Sequence, residues 1–305
     1  MKHDLKRGAL LLASATFFVA ALNALQKLTG TRLPALEIIF FRNLFSLPFV
    51  LLIASRTGII LKTHHFRGHL IRSVVGLISM IMVVITVTRL PLAEQQVLSY
   101  TQPLFLVLLS IPLLHERPSL QRWIAVLIGF SGVVVVALGK GLLNTSATSV
   151  STAIYLLALA QGAVGALTTM QIRQLSATEA STTISLWQAI LMTVMTAAPL
   201  PFIWFTPGWQ DGLCLVIVGG FAGIAQVLQT EAFASAQVSA IGPFAYTGLL
   251  WAALIGWLGF GEIPSSAMAA GAVLIIGSGV WMLRHDRASK ARDAIVATVE
   301  TAEGS

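Results

Sequence analysis

Ten apolar runs follow one another along this chain of 305 residues, beginning near Gly8, Pro34, Ile71, Pro91, Gln121, Ser151, Ser181, Gly212, Ala236 and Ala267. A run of about 20 apolar residues crosses the hydrocarbon core of a bilayer as one α-helix. The helix suits that setting because it satisfies its backbone polar groups internally. The pattern predicts an all-α integral membrane protein with ten transmembrane helices. Composition agrees, since 56% of residues are hydrophobic and 10% charged, against about 25% charged in an ordinary soluble domain. The first run follows Lys2, Lys6 and Arg7 as a signal peptide would, but it continues to Leu25 with no convincing cleavage site and is read as an uncleaved helix. Cys214 is the single cysteine, so no intramolecular disulfide forms.

Charge placement orients the chain. With residue 1 in the cytoplasm, fourteen of the 19 Lys and Arg residues fall in inner segments, and four (Lys27, Arg32, Arg89 and Lys140) in outer ones. Arg42 alone remains within a span. The positive-inside rule therefore puts both termini in the cytoplasm, and the expected location is the cell inner membrane. The net charge of +7 is accounted for by this bias and calls for no nucleic-acid partner.

The chain also repeats itself. "YTQPLFLVLLSIPLLHERPS" at residues 100–119 returns 146 positions later as "YTGLLWAALIGWLGFGEIPS", with Tyr-Thr and Glu-x-Pro-Ser at identical spacing. The same offset pairs Lys27 with Arg173, Asn23 with Thr169, and Arg42 with Gln188. Each half holds five runs, an odd number, so the second half enters the membrane upside down, as in transporters built from inverted repeats. The expected organisation is a five-helix repeat over 1–140, an outer linker over 141–150, the inverted five-helix repeat over 151–284, and a cytoplasmic tail over 285–305.

These motifs carry a resemblance. "HERPSLQRWIAVLIGFSGVVVV" after span four and "GEIPSSAMAAGAVLIIGSGVWML" after span nine resemble the EamA branch of the drug/metabolite transporter (DMT) superfamily. Within that branch the chain is similar to bacterial amino-acid and metabolite exporters of the YddG kind, while "LPLAEQQVLSYTQPLF" resembles relatives that carry S-adenosylmethionine. The resemblance implies the inverted five-plus-five fold and export as the direction. The His-Glu of the first motif departs from the family's usual Gly-Glu.

Prolines mark where helices open. Pro103 and Pro243 cannot donate to the carbonyls of Ser99 and Ser239, and backbone freed at membrane depth needs protein or a wet cavity to satisfy it. Beside these breaks stand Gln96, Tyr100 and Gln102 in one half, and Tyr246 and Trp251 in the other. With Asn23 and Gln26 of span one as weaker members, they form the candidate substrate site. They offer donors for a carboxylate, carbonyls for an ammonium group and aromatic faces. Ordinary helix packing accounts for part of such a set. Glu116 and Glu262 are read as structural or gating residues that accept backbone N–H groups at their turns. Arg42 is a functional candidate because of its depth, weighed against a packing arginine that bonds carbonyls between helices. Glu37, Glu94 and Glu231 are read as interfacial carboxylates in headgroup water.

Several functions are excluded or disfavoured. All six histidines fall in segments read as cytoplasmic, and "HERPS" lacks the second His of a zinc-protease helix, so no enzyme, catalytic residue or metal site is expected. No G-x-x-x-x-G-K-[ST] occurs to drive pumping with ATP. One deep arginine is poor provision for a nucleotide sugar's phosphates. What remains is a carrier, able to work as a monomer by its architecture, with no cofactor, that exports amino acids or related small neutral or zwitterionic metabolites by alternating access. The alternatives are an S-adenosylmethionine or other metabolite carrier, and a non-selective channel.

Overall fold

The computed structural model describes residues 5–57, 62–114, 120–139, 149–235, 242–281 and 284, and among these there is helix but no strand. Glu116, residues 141–148 of the linker, the side chain of Pro243 and the tail from 285 lie outside the described residues. The helices are α1 (Leu5–Thr29), α2 (Ala35–Thr57), α3 (Phe66–Arg89), α4 (Leu92–Ser99), α5 (Gln102–Leu114) and α6 (Leu120–Gly139) in the first half. The second half holds α7 (Ser149–Leu175), α8 (Ser181–Ala197), α9 (Leu200–Ile203), α10 (Trp209–Ser235), a 3₁₀ turn (Gly242–Tyr246), α11 (Thr247–Phe260) and α12 (Ser266–Trp281).

Five of these helices are long and apolar enough to cross a bilayer, and four further apolar helices are shorter. The run expected as span four is divided between α4 and α5. Pro91 forces Leu90 into extended backbone (φ −103°, ψ 156°), which separates α3 from α4. Tyr100 and Thr101 then bond three residues back, to the carbonyls of Val97 and Leu98, before α5 begins. The mate of this break in the second half is the 3₁₀ turn that leads into α11.

Neighbour relations show how the halves combine. Helix α1 packs on α10 and α11, and its repeat mate α7 packs on α3, α4 and α5. Helix α2 packs on α10, and its mate α8 on α3. Two contacts join a part of one half to its own mate, α2 to α8 and, at the break, Tyr100 to Tyr246. Exchanging the halves turns α1–α10, α2–α10 and α1–α11 into α7–α3, α8–α3 and α7–α5, so a pseudo-twofold axis passes through those two contacts.

Burial is arranged for lipid. Leu10, Leu127, Leu250 and Val273 face outward, while Gln26, Thr101, Thr196 and Ser278 are buried. One apolar cluster joins α4, α6, α7 and α12 through Val97, Val136, Tyr155 and Ile275. Helices α6 and α12 approach through Gly132 and Gly271; a Cβ on Gly132 would stand 2.8 Å from the carbonyl of Gly271. Small residues at such crossings let backbones come close in a membrane, where apolar burial against lipid supplies little net drive.

Candidate functional site

The break between α4 and α5 opens onto a cavity of about 480 Å³ that lies on the pseudo-twofold. Its polar walls are Thr16 of α1, Gln96, Ser99, Tyr100 and Gln102 around the break, and Gln229 of α10; Val19, Pro103 and Gly248 complete it. Among the described residues no charged side chain lines it. Thr16 is eleven residues into α1, about 17 Å at about 1.5 Å per residue and close to half the thickness of a bilayer core.

The two halves furnish this cavity unequally, and the inequality creates the space. Gln102 turns toward α7, donating from Nε2 to Thr169 Oγ1 at 2.8 Å and to the Gly165 carbonyl at 3.2 Å. Its repeat mate is Gly248, which has no side chain to send toward α1. A Cβ there would stand 3.1 Å from the Tyr100 hydroxyl and 3.4 Å from Thr16 Cβ. The glycine leaves open the room that its mate fills in the other half. Thr16 and Thr247 share a hydrogen bond of 2.9 Å across the same seam.

Of the residues expected at the site, Gln96, Tyr100, Gln102 and Pro103 line the cavity together. Tyr246 touches it through the Tyr100 ring. Trp251 is turned toward α1, where Nε1 donates to the Ala13 carbonyl at 3.2 Å and the indole meets Phe17 edge to face. Asn23 and Gln26 are buried off the cavity wall; Gln26 is 0% exposed, and neither its oxygen nor its nitrogen has a partner among the described residues. Pro243 lies in the 3₁₀ turn.

One end of the bundle is fastened across the halves. Lys27, near the end of α1, forms an ion pair with Glu262, and its Nζ also donates to the Leu90 carbonyl at 2.7 Å. Glu262 accepts the Leu92 N–H at 2.8 Å, which caps α4 with a carboxylate from the other half. Gly261, in the left-handed region at φ 67°, ends α11 and turns the chain so that Glu262 reaches this position.

Sequence reasoning missed several buried polar groups. Arg72 and His69, both counted with the cytoplasmic loops, are 5% and 1% exposed within α3. The headgroup reading of two carboxylates is also corrected. Glu37 is fully buried and accepts the Phe205 N–H at 3.2 Å, and buried Glu94 accepts the Tyr155 hydroxyl. Glu231 is half exposed. A hydropathy pattern marks depth along a helix but not its rotation, so it could not tell a loop charge from one turned inward. Among the described residues no group of three or more His, Cys, Asp or Glu is placed to hold a metal ion.

A multi-pass helical bundle with an uncharged polar cavity on the axis between two halves describes a membrane transporter of small molecules. The chain belongs to the EamA-like transporter family, whose model matches residues 6–138 and again 152–284. Members of this family are transporters, not enzymes. The pseudopaline exporter CntI of Pseudomonas aeruginosa is 29% identical over 277 residues, covering 89% of this chain and 94% of that protein. A riboflavin transporter of Brucella anthropi is 27% identical, over 88% and 95% of the two chains. An S-adenosylmethionine uptake transporter of Rickettsia bellii is 26% identical, over 88% and 90%. A solved crystal structure superposes with a TM-score of 0.63 at 19% identity, covering 90% of this chain and 96% of its own, which shows a shared fold.

Proposed function

We propose that this protein exports amino acids or closely related small neutral or zwitterionic metabolites across the cell inner membrane by alternating access, with both termini in the cytoplasm. The observation that carries the reading is the cavity at Tyr100. Among the described residues its walls carry amide and hydroxyl groups and no charge, and it is large enough for an amino acid. Such walls suit a zwitterion of variable side chain better than a phosphate ester or a permanent cation. Ten spans in two inverted halves support alternation, because exchanging the conformations of mate helices exchanges the closed side. In that reading the Lys27–Glu262 fastening closes the outer side. The similarity to an exporter supports the outward direction.

The runner-up is a carrier of S-adenosylmethionine or another larger metabolite, favoured by the similarity to uptake transporters for it. A non-selective channel is the third reading. Purified protein in liposomes, offered neutral amino acids, S-adenosylmethionine, riboflavin, a nucleotide sugar and a cationic dye, separates them. Saturable flux of several neutral amino acids is the expected result. Flux of S-adenosylmethionine alone would promote the runner-up, and unsaturable flux of every solute would make the protein a channel.

A further inference from the structure

A second cavity, of about 90 Å³, lies between α2, α3, α8 and α10, at the α2–α8 contact where the pseudo-twofold passes. Its walls hold repeat mates: Arg42 with Gln188, Asn43 with Ala189, and Met80 with Gln226, each pair 146 positions apart. Gln226 on this wall and Gln229 on the wall of the Tyr100 cavity are three residues apart on α10, neighbours on one helix face. One helix, α10, thus lines both cavities.

Its electrostatics are unbalanced. Arg42 is the one charged residue on the wall, and it makes no hydrogen bond or ion pair with any described residue. The carbonyl partners of a packing arginine are thus missing among the described residues. Arg72 stands behind the wall, donating from Nη2 to Gln188 Oε1 at 2.6 Å, while its buried Nε has no partner among the described residues. Gln188 thus shares a cavity with one guanidinium and a hydrogen bond with another, and neither cation has a carboxylate partner among the described residues.

A guanidinium inside a membrane protein is stable where an anion or a set of acceptors meets its fork of donors. A carboxylate is the matching group, since its two oxygens accept parallel N–H bonds, and the cavity has room for a few water-sized groups. The Ser46 hydroxyl and the Asn43 amide on the same wall already donate to the Asn43 and Ile39 carbonyls, so the guanidinium of Arg42 is the donor that remains for such a group.

We infer that this cavity is an anion subsite that takes the carboxylate group of the transported molecule, with Arg42 as its direct partner and Arg72 as a positioning residue acting through Gln188. The inference rests on the carrier reading above and narrows its cargo to carboxylate-bearing molecules.

The test is thermal unfolding of the full-length protein in lipid nanodiscs, titrated with acetate, with acetamide as the uncharged isostere and with chloride. Acetate is expected to raise the unfolding temperature saturably, acetamide to leave it unchanged, and chloride to act more weakly. Arg42→Gln should weaken the apparent acetate affinity at least about tenfold, and Arg42→Lys should keep part of it. Gln188→Glu supplies a carboxylate from the protein itself, so it should raise the unfolding temperature and abolish the acetate response. No response to acetate, an equal response to acetamide or chloride, or a full response in Arg42→Gln would overturn the subsite. If Arg42→Gln does not fold, a retained acetate response in Gln188→Glu overturns it instead. Liposome flux distinguishes the two readings: equal saturable transport of an amino acid and its amide sinks the carboxylate assignment and leaves the carrier standing. Arg42-dependent acetate binding without saturable flux of any solute sinks the carrier.

Discussion

The rings of Tyr100 and Tyr246, repeat mates 146 positions apart, meet edge to face with centroids 4.9 Å apart and planes at 77°. The Tyr100 hydroxyl donates to the Ala245 carbonyl at 3.2 Å, so the first half supplies an acceptor's partner inside the broken backbone of the second. The pair stands where α4 meets α11, on the pseudo-twofold and on the edge of the larger cavity. Any movement of one half against the other changes this contact.

Tyr100→Phe removes one hydrogen bond and keeps the ring contact, so it should cost about 1 kcal/mol of stability with transport largely retained. Tyr100→Ala opens the cavity wall and should weaken the apparent affinity for substrate about tenfold, the equivalent of about 1.4 kcal/mol. Liposome uptake curves, normalised to protein in the membrane, check both. Unchanged affinity in Tyr100→Ala at normal abundance would remove Tyr100 from the site.

Gly248→Leu should abolish transport while leaving the amount of folded protein near normal. The new side chain starts 3.1 Å from the Tyr100 hydroxyl and has the cavity as its way out. Gly259→Leu, where a Cβ would meet nothing within 4 Å, is the control and should transport normally. Equal activity of the two variants would show that substrate does not use this space.

Lys27 and Glu262 are each less than a fifth exposed, so removing one partner leaves the other poorly compensated. Lys27→Met should lower thermal stability in nanodiscs, and adding Glu262→Gln should restore part of the loss. The coupling energy from the double-mutant cycle should be about 1–3 kcal/mol. A cycle that closes at zero would mean the two residues act independently. If the fastening is also the outer gate, a cysteine introduced at Tyr100 in a Cys214-free chain should react faster with an external thiol reagent once Lys27 is replaced.

Topology gives a further expectation. In a chain without Cys214, a single cysteine at Thr178 should react only with reagent that enters the cytoplasm, and one at Asn144 with impermeant reagent from outside. Labelling of both from the same side would break the inverted arrangement of the halves.

The membrane setting, the helical class and the two-part repeat were legible because they depend on where apolar runs begin and end and on what recurs at fixed spacing. The Tyr100–Gln102 region was legible for a similar local reason: Pro103 withholds a donor, and the polar residues beside it need somewhere to face. Trp251 shared that neighbourhood in the sequence, but its indole turned to Ala13 and Phe17. Proximity to a helix break does not decide which side of the helix a residue presents.

The sequence by itself determined that this chain is a helical membrane protein built twice over, because lipid imposes helix length and hydrophobicity residue by residue and duplication leaves its spacing behind. The tertiary structure decided which polar groups meet. Lys27 entered as one of four outer charges and became the partner of Glu262, 235 positions away. Arg72 entered as a loop charge and became a buried donor to Gln188. Gly248, silent in the sequence, became the open side of the cavity. These outcomes depend on helix rotation and on how one half seats against the other, which hydropathy along a single helix does not encode.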